Sequence, residues 1–200
     1  MQAHQSETDV EKTMRKARLR EALLRTRREL APADRAAATA AIADGVIRWW
    51  DAHRPTSVGV YWPIRGEPDL RPLYPVLHAR GVQLALPVVD SNRQPLRFLA
   101  WTPGDPMRED RFGVPTPANE VTILPAALLI PCVGFNPQRV RLGYGGGLYD
   151  RTLARSPRPL TLGIAYDCAA AQFDGEIHDI ALDMVLTESQ LLGTLTDGNA

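Results

Sequence analysis

Two short, almost wholly apolar runs constrain this chain most: "ALLIP" at 127–131 and "LTLGIAY" at 160–166. A strand with one wet face alternates apolar and polar residues, whereas runs like these need cover on both faces. The stretches "SVGVYW" (57–62), "VQLALP" (82–87), "LRFLAWT" (96–102) and "MVLTE" (184–188) add further strands, the last of them closing the series. Helical and turn-rich segments separate them. Strands alternating with helices specify an α/β layer fold with a largely parallel central sheet flanked by helices.

Residues 10–30 place Leu19, Leu23 and Leu30 on one side at the helical period. Pro32 interrupts that pattern, and 33–53 reads as a second, alanine-rich helix whose Trp49 and Trp50 pack on the core. Both helices precede any strand and are expected on a face or edge of the sheet. A short helix over 70–81 is expected to break at Pro72 or Pro75 and to close at Gly81. The segments 63–69 and 103–119 read as loops by their proline and glycine content. One domain over 10–193 is expected, with a disordered polar lead-in at 1–9 and a polar tail at 194–200.

With 44% apolar residues in 200, the chain can build an ordinary core. Its formal net charge of +0 excludes bulk attraction to nucleic acid or to a membrane surface. Any bound anion must therefore be gripped by a local cluster. Cys132 and Cys168 lie in no CxxC or Cys/His spacing, so no zinc knuckle is expected. The N-terminal residues lack the apolar segment of a signal peptide. The longest apolar run, "LPAALLIPCVGF", holds two prolines and is too short to span a bilayer. A soluble, cytoplasmic, monomeric protein with reduced thiols is the expectation.

The stretch "RVRLGYGGGLYDR", 139–151, carries four glycines within five positions, at 143, 145, 146 and 147. A surface turn between strand and helix is one reading. The alternative is an anion cradle. No Gly-Lys-Ser/Thr follows, so it is not a Walker loop, and Leu148 stands where a dinucleotide fingerprint needs glycine. Bare backbone can still approach a ligand and turn its N–H groups inward. A helix expected over 147–155 would add its N-terminus, and Arg141 a forked cation suited to phosphate. Asp150 can serve as a first-turn acid of that helix or as a carboxylate for Mg²⁺ beside phosphate oxygens.

The first helix is crowded with cations. At roughly 100° per residue, Lys16, Arg20 and Arg27 fall within about 40° of one another, beside the leucine stripe. Such cations are either a solvated face or the edge of a cleft. Elsewhere, His178 beside Asp179 suggests a local hydrogen bond, Cys132 a small core residue, and Glu109–Asp110 solvated loop charge.

Five segments together resemble the 5-formyltetrahydrofolate cyclo-ligase family: "KARLR" (16–20), "RGEPD" (65–69), "FGVPTP" (112–117), "RLGYGGGLYDR" (141–151) and "HDIALDMVLTE" (178–188). The resemblance implies a sheet of the sugar-phosphate isomerase or CoA-transferase type. It also implies ATP- and Mg²⁺-dependent cyclisation of 5-formyltetrahydrofolate to 5,10-methenyltetrahydrofolate. On that basis Lys16, Arg20, Arg141, Leu142, Gly143, Tyr144, Gly145, Gly146, Gly147, Leu148 and Tyr149 are expected at ATP. Trp62, Glu67, Tyr144 and Leu148 are expected at the folate, and Asp150 and Asp179 at Mg²⁺. Leu148, Thr116 and Ala169 depart from the family pattern, and the stretch before His178 is slightly shorter. Those departures keep open a second reading, a diverged nucleotide-binding paralogue with altered or lost folate turnover.

Overall fold

The computed structural model describes residues 9–91 and 94–193, so the tail and all but the last residue of the expected lead-in lie outside the described residues. The chain opens with α1 (Asp9–Glu29) and α2 (Pro32–His53). Pro32 is the first residue of α2, where a missing N–H costs nothing. Then come β1 (Ser57–Gly59), a 3₁₀ turn (Arg71–Leu73), α3 (Tyr74–Ala79), β2 (Gln83–Val88) and β3 (Arg97–Trp101). The helix expected over 70–81 is thus divided in two, with Pro72 and Pro75 each near the start of a piece.

The expected loop over 103–119 is corrected. It contains β4 (Met107–Glu109) and β5 (Pro115–Pro117), paired antiparallel with Arg108 opposite Thr116. A two-stranded ribbon leaves one side of each strand without ladder partners, which is where proline is tolerated. There follow β6 (Thr122–Ile123), β7 (Ala127–Pro131), β8 (Gly134–Phe135), β9 (Arg141–Leu142), α4 (Leu148–Leu153) and β10 (Leu160–Ile164). A second 3₁₀ turn (Asp167–Ala169), β11 (Met184–Leu186) and β12 (Leu191–Leu192) complete the chain. The expected last strand is β11, but β12 folds back antiparallel on it.

The main sheet runs β12-β11-β10-β7-β1-β2-β3-β6. Its centre, β11 to β2, is parallel, while β12, β3 and β6 add antiparallel pairs at the two edges. Side chains alternate between two apolar layers. Leu129 and Leu84 join Ile42, Val46 and Trp49 of α2 and Leu77 of α3 on one face. Leu128, Ile130 and Ala85 join Leu153 of α4 on the other. This double cover is what the unbroken apolarity of "ALLIP" requires.

From β1 the chain goes outward to β2, then returns to the opposite side of β1 as β7 and continues to β10 and β11. The order therefore reverses between β1 and β7. In open α/β sheets the crevice beyond the carboxyl ends at such a reversal is where ligands bind.

α1 takes a different position from α2. It does not share α2's face; Leu19 and Leu23 pack on a small separate cluster of Val140, Leu142 and Phe173. Only Leu30, just past its end, reaches the main core. The approach is close: a Cβ on Gly134 would lie 2.5 Å from Leu23 Cδ1, so a larger residue there would force that leucine to shift.

Candidate active site

Two chain segments leave the reversal point. Beyond β1 runs the turn carrying Trp62 and Glu67; beyond β7 come Cys132 and the β8–β9 ribbon that leads to the glycine segment. α1 crosses the second of these, and its three aligned cations all turn toward the body. Lys16 Nζ lies 2.8 Å from Asp179 Oδ2 and 3.0 Å from Glu176 Oε1. Arg20 Nε donates to the Gly143 carbonyl at 2.6 Å. Arg27, only 1% exposed, donates to the Cys132 carbonyl and, at 3.4 Å, to the Tyr144 hydroxyl. These three cations are therefore bound to the body and are not a solvated face.

The carboxylates come from the other side. Arg141 Nη2 meets Asp150 Oδ1 at 2.9 Å, and the same oxygen accepts the Ile180 N–H at 3.1 Å. Asp179 Oδ2 accepts from the Glu176 N–H as well as from Lys16. Asp150 therefore grips the residue that follows Asp179, and positions far apart in sequence share one corner. Burial disfavours the Lys16 ammonium, but its bonds to Asp179 and Glu176 outweigh that and hold its pKa above the ordinary lysine value. Burial lowers the pKa of Arg20, opposed by Glu176.

The glycine segment bends as expected, with Gly145 at φ 93°. A Cβ there would stand 3.7 Å from Arg20 Cζ, in ordinary contact, so it is the left-handed φ that calls for glycine. Gly146 is exposed, and its carbonyl accepts from Arg151 Nη2. Gly147 forms the helix cap rather than its first residue, and α4 is only six residues long. The helix expected over 147–155 is thus cut short, and so little macrodipole can act that any anion must rely on side-chain cations. Leu142 is a buried β9 residue paired opposite Gly134, and Leu148 packs on the core layer around Leu153. Arg141 lies over the Tyr149 ring at 5.7 Å from its centroid.

Tyr144 reaches back across the crevice. Its hydroxyl donates to Glu67 Oε1 at 2.8 Å, while the Ile64 N–H donates to Glu67 Oε2 at 2.9 Å. Glu67 is 4% exposed. Desolvation raises its pKa, against the opposing pull of the Ile64 N–H, the Tyr144 hydroxyl, Arg27 and Arg65. Trp62 sits on the same turn, but among the described residues its ring neighbours are Arg71 and Trp101, not the Glu67–Tyr144 pair. Burial pushes the Cys132 thiol up to about 12, which keeps it protonated and unfit as a nucleophile.

Sequence reasoning did not assign Arg27, Arg65 or Glu176 to a site. The helical period had already grouped Arg27 with Lys16 and Arg20, so that signal was available. Arg65, whose guanidinium lies 5.1 Å from the Tyr144 ring centroid, opens the "RGEPD" segment but was given no role, and nothing in the sequence marks Glu176.

Among the described residues no group of three or more His, Cys, Asp or Glu side chains converges. That donor set does not fit a metal held by protein alone. It does fit Mg²⁺, which takes one or two carboxylates and completes its octahedron with phosphate oxygens and water. Among the described residues no helix is long and apolar enough to cross a membrane.

The chain is similar to known proteins over most of its length. The model of the 5-formyltetrahydrofolate cyclo-ligase family matches residues 12–188. The 5-formyltetrahydrofolate cyclo-ligase of Escherichia coli is 33% identical over 144 residues, covering 68% of this chain and 79% of that protein. That of Mycolicibacterium smegmatis is 30% identical over 188 residues, covering 86% and 93%. The solved structure of Aquifex aeolicus 5,10-methenyltetrahydrofolate synthetase aligns with a TM-score of 0.77 at 28% identity, over 92% of this chain and 95% of that one. A match across nearly the whole described chain, on a sheet whose reversal point carries the converging cations and carboxylates, places this chain in the 5-formyltetrahydrofolate cyclo-ligase family of enzymes.

Proposed function

We propose that the chain cyclises 5-formyltetrahydrofolate to 5,10-methenyltetrahydrofolate with ATP and Mg²⁺, releasing ADP and phosphate. The observation that carries this is the convergence of Lys16, Arg20 and Arg141 with Asp150 and Asp179 around the glycine segment. A formyl group on an amide nitrogen is a weak electrophile, and its oxygen leaves poorly. Moving the γ-phosphoryl group onto that oxygen expels ADP. The substrate's own N10 then attacks the formyl carbon and gives up its proton to water or the departing phosphate, the C–O bond breaks, and phosphate leaves. The nucleophile belongs to the substrate, so an inert Cys132 is no obstacle.

The protein's work is positioning and charge stabilisation, as in other phosphoryl transfers. Lys16, Arg20 and Arg141 would hold the triphosphate, exchanging their present partners for phosphate oxygens. Residues 142–149 would supply the walls and floor of that site. Asp150 and Asp179 would hold Mg²⁺, which when bound neutralises charge developing on the phosphate oxygens. Glu67 and Tyr144 would face the folate, with Glu67 accepting pterin N–H groups. Trp62 and Leu148 would line the same side.

The second reading, loss of folate turnover, rests on Leu148, Thr116 and Ala169. Thr116 and Ala169 are 2% and 3% exposed, and Thr116 spends its hydroxyl on the Arg108 carbonyl. Interior positions of this kind give that reading little support. The test is direct: purified protein with 5-formyltetrahydrofolate, ATP and Mg²⁺ should develop the strong absorbance of the methenyl product. ATP binding by calorimetry without any absorbance change would favour the paralogue instead.

A further inference from the structure

A guanidinium 1% exposed needs a reason. Arg27 is such a group, on the helix that also turns Lys16 and Arg20 toward Asp179 and Gly143. Among the described residues it forms no ion pair with a carboxylate. Its partners are the Cys132 carbonyl, just past the end of β7, and the Tyr144 hydroxyl. A leucine would fill the same volume without the cost of stripping water from a charge.

The geometry points to Arg27 as a positioning residue that acts on Glu67 through the Tyr144 hydroxyl. A phenol has one proton. Because Arg27 Nη1 donates to the Tyr144 oxygen, that proton is directed to Glu67 Oε1, 2.8 Å away. Tyr144 thus becomes an obligatory donor to the carboxylate. The Ile64 N–H fixes the other oxygen, so the carboxyl plane is set at both ends. The charge of Arg27 favours the ionised form of a group that burial works to neutralise.

Other groups also act on Glu67. Arg65 shares its turn, and Arg35 of α2 comes within 3.9 Å of where a Gly66 Cβ would be. Tyr61, Tyr74 and Tyr149 approach from the β1 end, α3 and α4, and the Cys132 thiol from the β7 end. All four are protonated, neutral groups whose own ionisation is pushed up. Arg27 is the cation that reaches the carboxylate through a directed hydrogen bond. The consequence for the reaction rests on the folate role given to Glu67 above: an ionised, correctly aimed Glu67 is what a pterin N–H would meet.

The test uses the full chain in four forms: wild type, Arg27→Gln, Arg27→Lys and Tyr144→Phe. Titration of the Glu67 side-chain carboxyl by carbon NMR, in protein without ligand, reads the relay itself. Arg27→Gln and Tyr144→Phe should each move that titration to higher pH, and Arg27→Lys should restore most of it. Calorimetry then reads its use. Affinity for 5-formyltetrahydrofolate should fall about tenfold in Arg27→Gln, the scale of one hydrogen bond to a charged group. Its acid limb should move to higher pH, while ATP affinity stays within about twofold. A Glu67 titration unmoved in both relay variants, with only the unfolding midpoint lowered, would overturn the inference. Absence of folate binding in the wild type would instead count against the proposed function and leave the titration as the deciding measurement for Arg27.

Discussion

Removing Arg141 should cost folding stability as well as nucleotide affinity, and the two losses can be separated. Its side chain is 5% exposed, and it pairs with Asp150, 24% exposed, at 2.9 Å. It also donates to the Ile180 carbonyl at 3.1 Å. Breaking a well-buried pair from one side costs ~3–5 kcal/mol. Asp150 keeps the Ile180 N–H and some contact with water, so Arg141→Met should cost about 2–3 kcal/mol. Asp150→Asn keeps a neutral acceptor for that N–H and should cost about 1–2 kcal/mol. The two variants remove the same contact, so the double variant should fall short of the sum by roughly 1–2 kcal/mol.

Urea unfolding of the four proteins gives that coupling. Repeating it with ATP and Mg²⁺ at a hundred times the wild-type dissociation constant should add about 2.7 kcal/mol to the wild type. Arg141→Met should gain far less. Additivity within about 0.5 kcal/mol would show that the pair is not a functional unit of the fold. An undiminished ATP increment in Arg141→Met would remove Arg141 from the phosphate site.

Three other perturbations test separate parts of the site. Gly145→Val forces a β-branched residue to φ 93° against Arg20; it should cost about 1–3 kcal/mol in urea and weaken ATP binding at least tenfold by calorimetry. Glu176→Gln removes one of the anions that ATP would displace from Lys16 if that lysine holds phosphate as proposed. Because Glu176 is half exposed, this pair is worth under ~1 kcal/mol, and the Kd for ATP should tighten by no more than about fivefold, with the gain shrinking in high salt. Glu67→Gln tests the buried carboxyl through stability. The folded pKa of Glu67 is raised, so its contribution is full below the ordinary glutamate value and is lost as pH climbs through the raised one. Relative to wild type, the variant should therefore gain stability in urea unfolding as pH rises above the ordinary glutamate value.

The sheet was legible because burial on both faces leaves its mark in local composition: "ALLIP" can be nothing but a covered strand. The β4–β5 ribbon was hidden because Pro103, Pro106, Pro115 and Pro117 suppress every strand signal while still allowing a pairing with few ladder bonds. At the site, the period of α1 aligned Lys16, Arg20 and Arg27 before any fold was known. It could not say which would meet carboxylates and which would be buried whole, because that depends on residues 132, 143, 144 and 179 arriving from elsewhere. Glu176 pairs with Lys16 only through the path of a loop, and no local pattern encodes such a path. Asp150 is conspicuous in the sequence for the opposite reason, an acid three residues past a glycine run, though its hold on the Ile180 N–H is not.

The fold separates what holds the molecule together from what assembles the site. The two layers around the sheet involve α2, α3 and α4, whereas the part of α1 carrying Lys16 and Arg20 rests on the small cluster of Val140, Leu142 and Phe173. Few buried apolar groups guard that contact, and sparse apolar burial is the mark of segments that open locally at low cost. The bonds that oppose such opening are those of Lys16 to Asp179 and Glu176, Arg20 to Gly143, and Arg27 to Cys132 and Tyr144. Lys16 and Arg20 are cations that a triphosphate would engage. Phosphate oxygens arriving there replace a single carboxylate or carbonyl partner with a more highly charged one shared between α1 and the glycine segment. Nucleotide binding would in this way stiffen the weakest contact of the fold, and it would do so next to Arg27 and Tyr144, the residues that aim Glu67. A helix so lightly packed is suited to an enzyme that must admit two large substrates and then hold both still.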